Sequence, residues 1–499
     1  MIGWIARREL LEHVRSPRFM VLALLCVVLL PGTAYVSVSG LHMREALAND
    51  LEARRLIASD PSGPPSDQGA SRFGWRSGVV TPDAALRAVR HPVAEEVLAI
   101  GSAASAPAYW QFSTEGSVDG PPARAQSPGG EESVTTDICS VIEAVLGLLA
   151  MLVACDSVSG EIESGRMRTI LAHPVSRAEV LAGKFCGAYV ALAIPLVVSS
   201  AAALVIYWVR GIRVAEPTFL VASAGILFAS ALYLATMLAL GIAVSAVTSE
   251  ARTSLVVLLM LWICATLAIP GVATLVASTV SPVQSEEMVR ASISENMHQL
   301  ERERARRLAE VWEQVSGSRD TPADGVVSPD VRSLYLNSSL AIEEQMMTRK
   351  RQIIEGLTNQ QTRDASRQAT IERVVGRLSP AVTFRRVTEA IAATGYEMQW
   401  RWREEVARAQ HAIEAASFDR RFGMELYSAA ANYQRIMYWP DATDPTQRVP
   451  AYAELPAFTH HQEAVSERIA TAVPDACLLA FECIGLLIIA AMAYVRTDI

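Results

Sequence analysis

Six long apolar stretches constrain this chain more than any other feature. They run approximately Phe19–Ser39, Thr136–Cys155, Leu181–Trp208, Phe219–Val247, Thr253–Val280 and Thr471–Val495. About 20 apolar helical residues cross the roughly 30 Å of bilayer hydrocarbon. Hydrocarbon offers no partner to a bare N–H or C=O, so each stretch is expected to be helical. The implied fold class is an all-α polytopic membrane protein, with six transmembrane helices and a large, mainly helical extracytoplasmic domain. Composition agrees, since 51% of the 499 residues are hydrophobic. The net charge of −8 argues against nucleic acid as a partner, because phosphate binding takes a basic face. The cysteines (Cys26, Cys139, Cys155, Cys186, Cys264, Cys477 and Cys483) lie in or at the edge of apolar runs, with no CxxC pair. They read as small apolar fillers rather than as a zinc or redox site.

Lys and Arg in short loops set orientation. Arg7, Arg8, Arg15 and Arg18 precede the first span, Arg166, Arg168 and Arg177 follow the second, Arg252 follows the fourth, and Arg496 follows the sixth. The opposite side has one short loop, with Arg210 and Arg213. This pattern places both termini in the cytoplasm and the two long polar segments outside; the expected location is a bacterial inner membrane. The first span could be a cleaved signal peptide, but the stretch before its core is long and Pro31-Gly32 close no convincing cleavage site. The expected layout is an interfacial helix over 1–18, a span over 19–39, an extracytoplasmic segment over 40–135, a span over 136–155 and a cytoplasmic loop over 156–180. Spans three to five follow over 181–280, then a helical extracytoplasmic domain over 281–470, a sixth span over 471–495 and a cytoplasmic tail over 496–499.

Met1–Val14 alternates Trp4, Leu10, Leu11 and Val14 with charged residues, as a helix lying in the membrane interface does. In segment 40–135, Met43–Ala58 reads as a charged helix, and Thr81-Pro82-Asp83 opens a second. In segment 281–470, apolar residues recur at three- and four-residue spacing over Ser285–Val315 and Val331–Leu357. Ser379-Pro380 starts a further helix over Ala381–Ala393, and Trp400–Ala416 is charged and amphipathic. These helices are expected to form an antiparallel bundle.

The loop after the second span reads Asp156-Ser-Val-Ser-Gly-Glu161-Ile-Glu-Ser-Gly165-Arg-Met-Arg168-Thr-Ile-Leu-Ala-His-Pro174-Val-Ser-Arg177-Ala-Glu-Val-Leu-Ala-Gly183-Lys184. Gly160 and Gly165 break the backbone, and Pro174 ends a short helix over about Met167–Ala172. Arg177 and Lys184 sit where they can hold the loop to the membrane surface. The run resembles the first cytoplasmic loop of ABC-2 type permeases, with Glu161, Gly165, Pro174, Arg177, Gly183 and Lys184 on the family's positions. A narrower likeness covers Leu378-Ser379-Pro380-Ala381, Leu455-Pro456-Ala457-Phe458 and the ending Tyr494-Val-Arg496-Thr-Asp498. These are similar to the ABC-2 subgroup with a large insertion of unknown function between spans five and six.

The resemblance implies a permease subunit of an ATP-driven exporter, with the loop docked on a separate cytoplasmic ATPase. ATP and Mg would then belong to that partner and no cofactor to this chain, which has no GxxxxGK[ST] loop to cradle phosphates. It also implies a second permease chain, identical or paralogous, beside the lipid bilayer. A different function stays open: ATPase-driven motion could move the outer bundle against a periplasmic partner with no cargo crossing. A membrane-bound hydrolase has no motif to support it.

Two carboxylates interrupt the spans, Glu143 in the second and Glu482 in the sixth. A charge at the bilayer centre costs about 2.5–3.5 kcal/mol on insertion scales. The two therefore either face a cargo path or dimer seam, or bond to Ser or Thr on a neighbouring helix. Pro195, and the Pro270-Gly271 pair, are candidate helix bends. His460-His461 with Glu463 lacks metal-ligand spacing.

Overall fold

The computed structural model describes residues 2–59, 87–101, 109–112, 118–119, 137–165, 176–316, 329–410, 412, 458 and 460–496. Helix α1 (Ile2–Val14) leads into α2 (Pro17–Ser59). The spans after it are α3 (Ile138–Glu163, with a short break before its last turn), α4 (Arg177–Val209), α5 (Pro217–Val247) and α6 (Ala251–Val280). The segment between α6 and the last span, called the insertion below for its place in the chain, supplies α7 (Glu286–Ser316), α8 (Pro329–Gly376), α9 (Pro380–Ile391) and a helix α10 over 396–410. Helix α11 (Val465–Arg496) is the last span. Among the described residues, six helices are long and apolar enough to cross a membrane: α2 through its Phe19–Ala53 stretch, α3, α4, α5, α6 and α11. Helix α1, the α3–α4 junction and the end of α11 meet on one side of the helix array, termed here the terminal side; the other is the distal side.

The spans fall into two classes. In α3 and α5 72% of the most apolar window is buried within the chain, against 11% in α6 and 17% in α11. Thus α3 and α5 form the centre, and the others present apolar flanks outward. Small residues let the centre close up. A Cβ on Gly241 of α5 would stand 2.4 Å from the Ala154 Cβ of α3, and one on Gly147 of α3 would stand 2.5 Å from the Tyr233 hydroxyl of α5. Small residues at helix contacts are how membrane helices approach closely, since lipid gives no hydrophobic drive to associate.

The first span is longer than its apolar core, because α2 continues through Gly40 into the charged Met43–Ala58 region without a break. A single helical glycine costs about 1 kcal/mol, too little to stop a helix with good formers on both sides. Segment 40–135 also holds a three-stranded antiparallel sheet that its sequence did not suggest. β1 (Arg87–Val89) pairs with β2 (Tyr109–Phe112), and β2 pairs with β3 (Val118–Asp119). Strands of two to four residues carry too little alternation to read. The expected helix start at Thr81-Pro82-Asp83 lies outside the described residues.

Of the helices expected to form one antiparallel bundle, α7 and α8 pair as an antiparallel hairpin. Trp312 meets Tyr335 edge-on, Arg307 meets Gln345 at 2.8 Å, and Arg349 meets Glu303 at 2.9 Å. The pairing then continues from α7 onto α6: the Ser281 hydroxyl donates to the Asp364 carbonyl, and the Thr274 hydroxyl to Glu372. Helix α8 therefore descends along α6, the chain turns at 377–379, and α9 climbs back among the spans. At its tip, the Ser379 hydroxyl donates to the Ala265 carbonyl of α6 at 2.6 Å. Sixteen residues separate Ala265 from Ser281, about 24 Å of helix. The insertion is thus wedged roughly halfway down α6 and is not merely a cap. Phe384 stacks on Tyr233 of α5 with centroids 4.7 Å apart, and Ala381, Phe384, Val387 and Ile391 join the main apolar core.

Candidate functional site

On the terminal side, the break and last turn of α3 and the start of α4 form a junction tied to nearly every neighbouring helix. The turn 155–159 is anchored first. The amides of Val158 and Ser159 both donate to the buried Ser245 hydroxyl of α5 at 3.0 Å, and that hydroxyl donates to the Cys155 carbonyl. The next turn, Ser159–Glu163, closes on Gly165 at φ +70°, a left-handed position that favours glycine. Glu163 accepts from the Ala251 amide at the N-terminus of α6, a placement that also suits the helix dipole. Ser176 caps α4 in a capping box with Glu179, a Ser-x-x-Glu pattern visible in the sequence. Arg177 donates to the Tyr494 and Val495 carbonyls at the end of α11, at 3.1 and 2.9 Å.

At the centre lies Lys184 of α4, its side chain only 3% exposed. Its ammonium reaches Glu161 of the α3 turn at 2.8 Å and Glu9 of α1 at 3.0 Å. A buried ammonium requires paired carboxylates to offset its desolvation, and here it has two. Gly187, one turn further along α4, lets α1 approach: a Cβ there would stand 2.6 Å from the Ala6 carbonyl oxygen and 2.8 Å from the Glu9 Cβ. His13, one turn beyond Glu9, lies 3.8 Å from it. Burial pushes the His13 ring below its ordinary value, against the opposing pull of Glu9, Asp156 and Glu12.

Of the loop residues singled out in the sequence, Glu161 and Lys184 are brought into direct contact, and Arg177 ties the loop to α11. Gly165 makes the turn, Gly183 is buried beside Lys184, and Asp156 is exposed at the loop's start. Arg168, Pro174 and the short helix over Met167–Ala172 lie outside the described residues. Glu9 was not singled out. Its signal is spacing, since it shares the inward helical face of Ile5 and His13 rather than that of Glu12.

The intramembrane carboxylates have different fates. Glu143 sits in a π-helical turn, Ile142–Leu146, and takes a forked ion pair from Arg385 of α9, at 2.7 and 3.0 Å. Its own carbonyl accepts from Tyr233. The partner is neither Ser nor Thr on another span, but an arginine brought in by the insertion. Asp475 of α11 is likewise held by Arg377, at 2.7 Å. Glu482 is half-buried near the middle of α11, and its Oε2 has no hydrogen-bond partner among the described residues.

The candidate bends also differ. Helix α4 runs unbroken through Pro195. In α6, Pro270-Gly271 follow a π-helical turn, Cys264–Ala268, in which the Ile269 amide bonds to the Cys264 carbonyl five residues back. The next bond in that register would join Pro270 to Ala265, and proline has no N–H. The Ala265 carbonyl is the orphan, and it is the group that Ser379 satisfies.

No curated protein matches the sequence. A family model described as "ABC-2 family transporter protein" matches residues 3–497. That match spans nearly the whole chain and agrees with the six long apolar helices among the described residues, so the chain belongs to the ABC-2 family of transporter membrane proteins.

Proposed function

We propose that this chain is the membrane-spanning permease subunit of an ATP-driven exporter in a bacterial inner membrane. Its termini and α3–α4 loop face the cytoplasm, and a separate ATPase, which holds the ATP and Mg, docks on that loop. The observation that carries this reading is the junction itself. One short loop is bonded to α4 and α1 through Lys184, to α5 through Ser245, to α6 through Glu163 and to α11 through Arg177. A force applied to the loop would reach the terminal ends of several spans together. The outward apolar flanks of α2, α6 and α11 suit both lipid and a second permease chain. Affinity purification of the tagged chain in mild detergent, with identification of its companions and assay of ATP hydrolysis, tests the proposal. Retention of an ATPase chain supports it, and ATP hydrolysis by this chain alone would overturn it.

A second reading has its own support. The wedge of α8 and α9 fastens the insertion to α6 at Ala265, to α3 at Glu143 and to α11 at Asp475. Motion of the spans would then move the insertion as well, as a machine acting on a periplasmic partner without transporting cargo requires. Glu482→Gln distinguishes the readings: export falls if this carboxylate lines a path, whereas a transmission machine tolerates loss of its charge; Glu143→Gln loosens the Arg385 fastening and weakens either machine.

A further inference from the structure

Helix α1 has two faces. Its inner face, Ile5, Ala6, Glu9 and His13, packs on α4. Its outer face turns away from the spans, with Trp4 74% and Leu11 44% exposed, and Arg7, Arg8 and Arg15 exposed beside them. At 100° per residue, Trp4, Arg8, Leu11 and Arg15 fall on one stripe, opposite His13. An open groove of about 630 Å³ runs along this face, lined by Trp4, Arg7, Arg8, Leu11, Glu12, Arg15 and Ser16. Three guanidinium groups against one carboxylate give the groove a net positive charge. The first membrane-spanning helix begins at Pro17, directly after it.

We infer that this outer face of α1 is a docking surface for anionic phospholipid headgroups. The chemistry is complementary in two respects. Trp4 and Leu11 are apolar and exposed at the end of a span, the depth at which an indole ring rests with one side in acyl chains and the other in headgroups. The arginines interleaved with them offer planar, forked donors that match a phosphate, and their aliphatic stems can lie along the lipid. A soluble protein partner would leave the Trp4–Leu11 stripe among headgroups and is the less fitting occupant. Because the opposite face of the same helix carries Glu9 to Lys184, an occupied groove would hold α1 against the junction.

The test uses the purified full chain in nanodiscs whose bilayer is phosphatidylcholine with graded phosphatidylglycerol, followed by gentle extraction and counting of retained lipid by native mass spectrometry. The chain is expected to retain phosphatidylglycerol in preference to phosphatidylcholine, less so as salt is raised. Each arginine near an anionic surface contributes about fivefold to partitioning, so the triple variant Arg7→Gln, Arg8→Gln, Arg15→Gln should lose the preference. Arg363→Gln with Arg367→Gln, in α8, controls for charge removal and should keep it. Equal retention of both lipids by the unaltered chain would overturn the inference, as would a triple variant that folds and keeps its preference. If the triple variant instead released a co-purifying protein and held its phosphatidylglycerol, the face would be a protein dock and the inference wrong.

Discussion

Lys184→Met should be among the most damaging single substitutions on the terminal side of the molecule. The ammonium it removes is 3% exposed and lies within 3.0 Å of two carboxylates that are themselves only 11% and 12% exposed. Methionine would fill the volume, so packing is largely conserved. What remains is Glu9 and Glu161 sharing one site without their cation. Removing one partner of a buried ion pair costs about 3–5 kcal/mol. The slight exposure of both carboxylates argues for the lower end, about 3 kcal/mol. The triple variant Lys184→Met, Glu9→Gln, Glu161→Gln strands no charge and should recover most of that loss. The assay is reversible unfolding of the purified chain in mixed micelles with rising denaturing detergent, followed by far-ultraviolet circular dichroism. A Lys184→Met variant within about 0.5 kcal/mol of the unaltered chain, the range of ordinary surface substitutions, would mean that the buried ammonium does not hold the two carboxylates in place. So would a triple variant less stable than the single one.

Ser379→Ala removes both the cap of α9 and the donor to the orphaned Ala265 carbonyl; a cap is worth about 1 kcal/mol and a buried unsatisfied acceptor about 1–3 kcal/mol. Loss of stability in the same unfolding assay should follow, and Ser379→Thr should restore it. Gly187→Ala forces α1 away from α4 because the new Cβ would meet backbone, at about 1–3 kcal/mol for overpacking. Gly485→Ala, with open space around it, should be harmless in the same unfolding assay. Glu389 of α9 is pushed up from 4.5 to about 7, mainly by burial, with Arg385 opposing, Asp137 adding, Arg386 opposing and Glu143 adding. Its folded-state value is raised, so its stabilising contribution is complete below 4.5 and is lost as pH rises through about 7. Unfolding measured across that window should show this slope, and Glu389→Gln should reduce it.

The spans were legible in the sequence because a run of about 20 apolar residues leaves the chain little choice. The hairpin of α7 and α8 was legible for a related reason, since its three- and four-residue periodicity is long and uninterrupted. The path of α9 was not. Ser379-Pro380 announced its start, and Phe384, Val387 and Ile391 announced an apolar face. Periodicity does not say what such a face packs against, and here it is the spans themselves rather than another helix of the insertion. For the same reason the partner of Glu143 was sought on a neighbouring span and was found at Arg385, 242 residues away. At the junction, the loop's order of residues marked Glu161 and Lys184 as positions, but only the fold revealed their contact and the third member, Glu9.

On the proposed function, the α3–α4 loop is a cytoplasmic docking surface moved by a separate ATPase. The most direct measurement places a single cysteine at Ser164, an exposed residue of that loop, with the native cysteines replaced by alanine, and adds a short bifunctional maleimide to membranes from cells expressing it. One cross-linked species is expected, containing an ATPase chain, with a yield that changes when ATP is supplied. Labelling of the same cysteine by a membrane-impermeant maleimide added outside intact cells would contradict it.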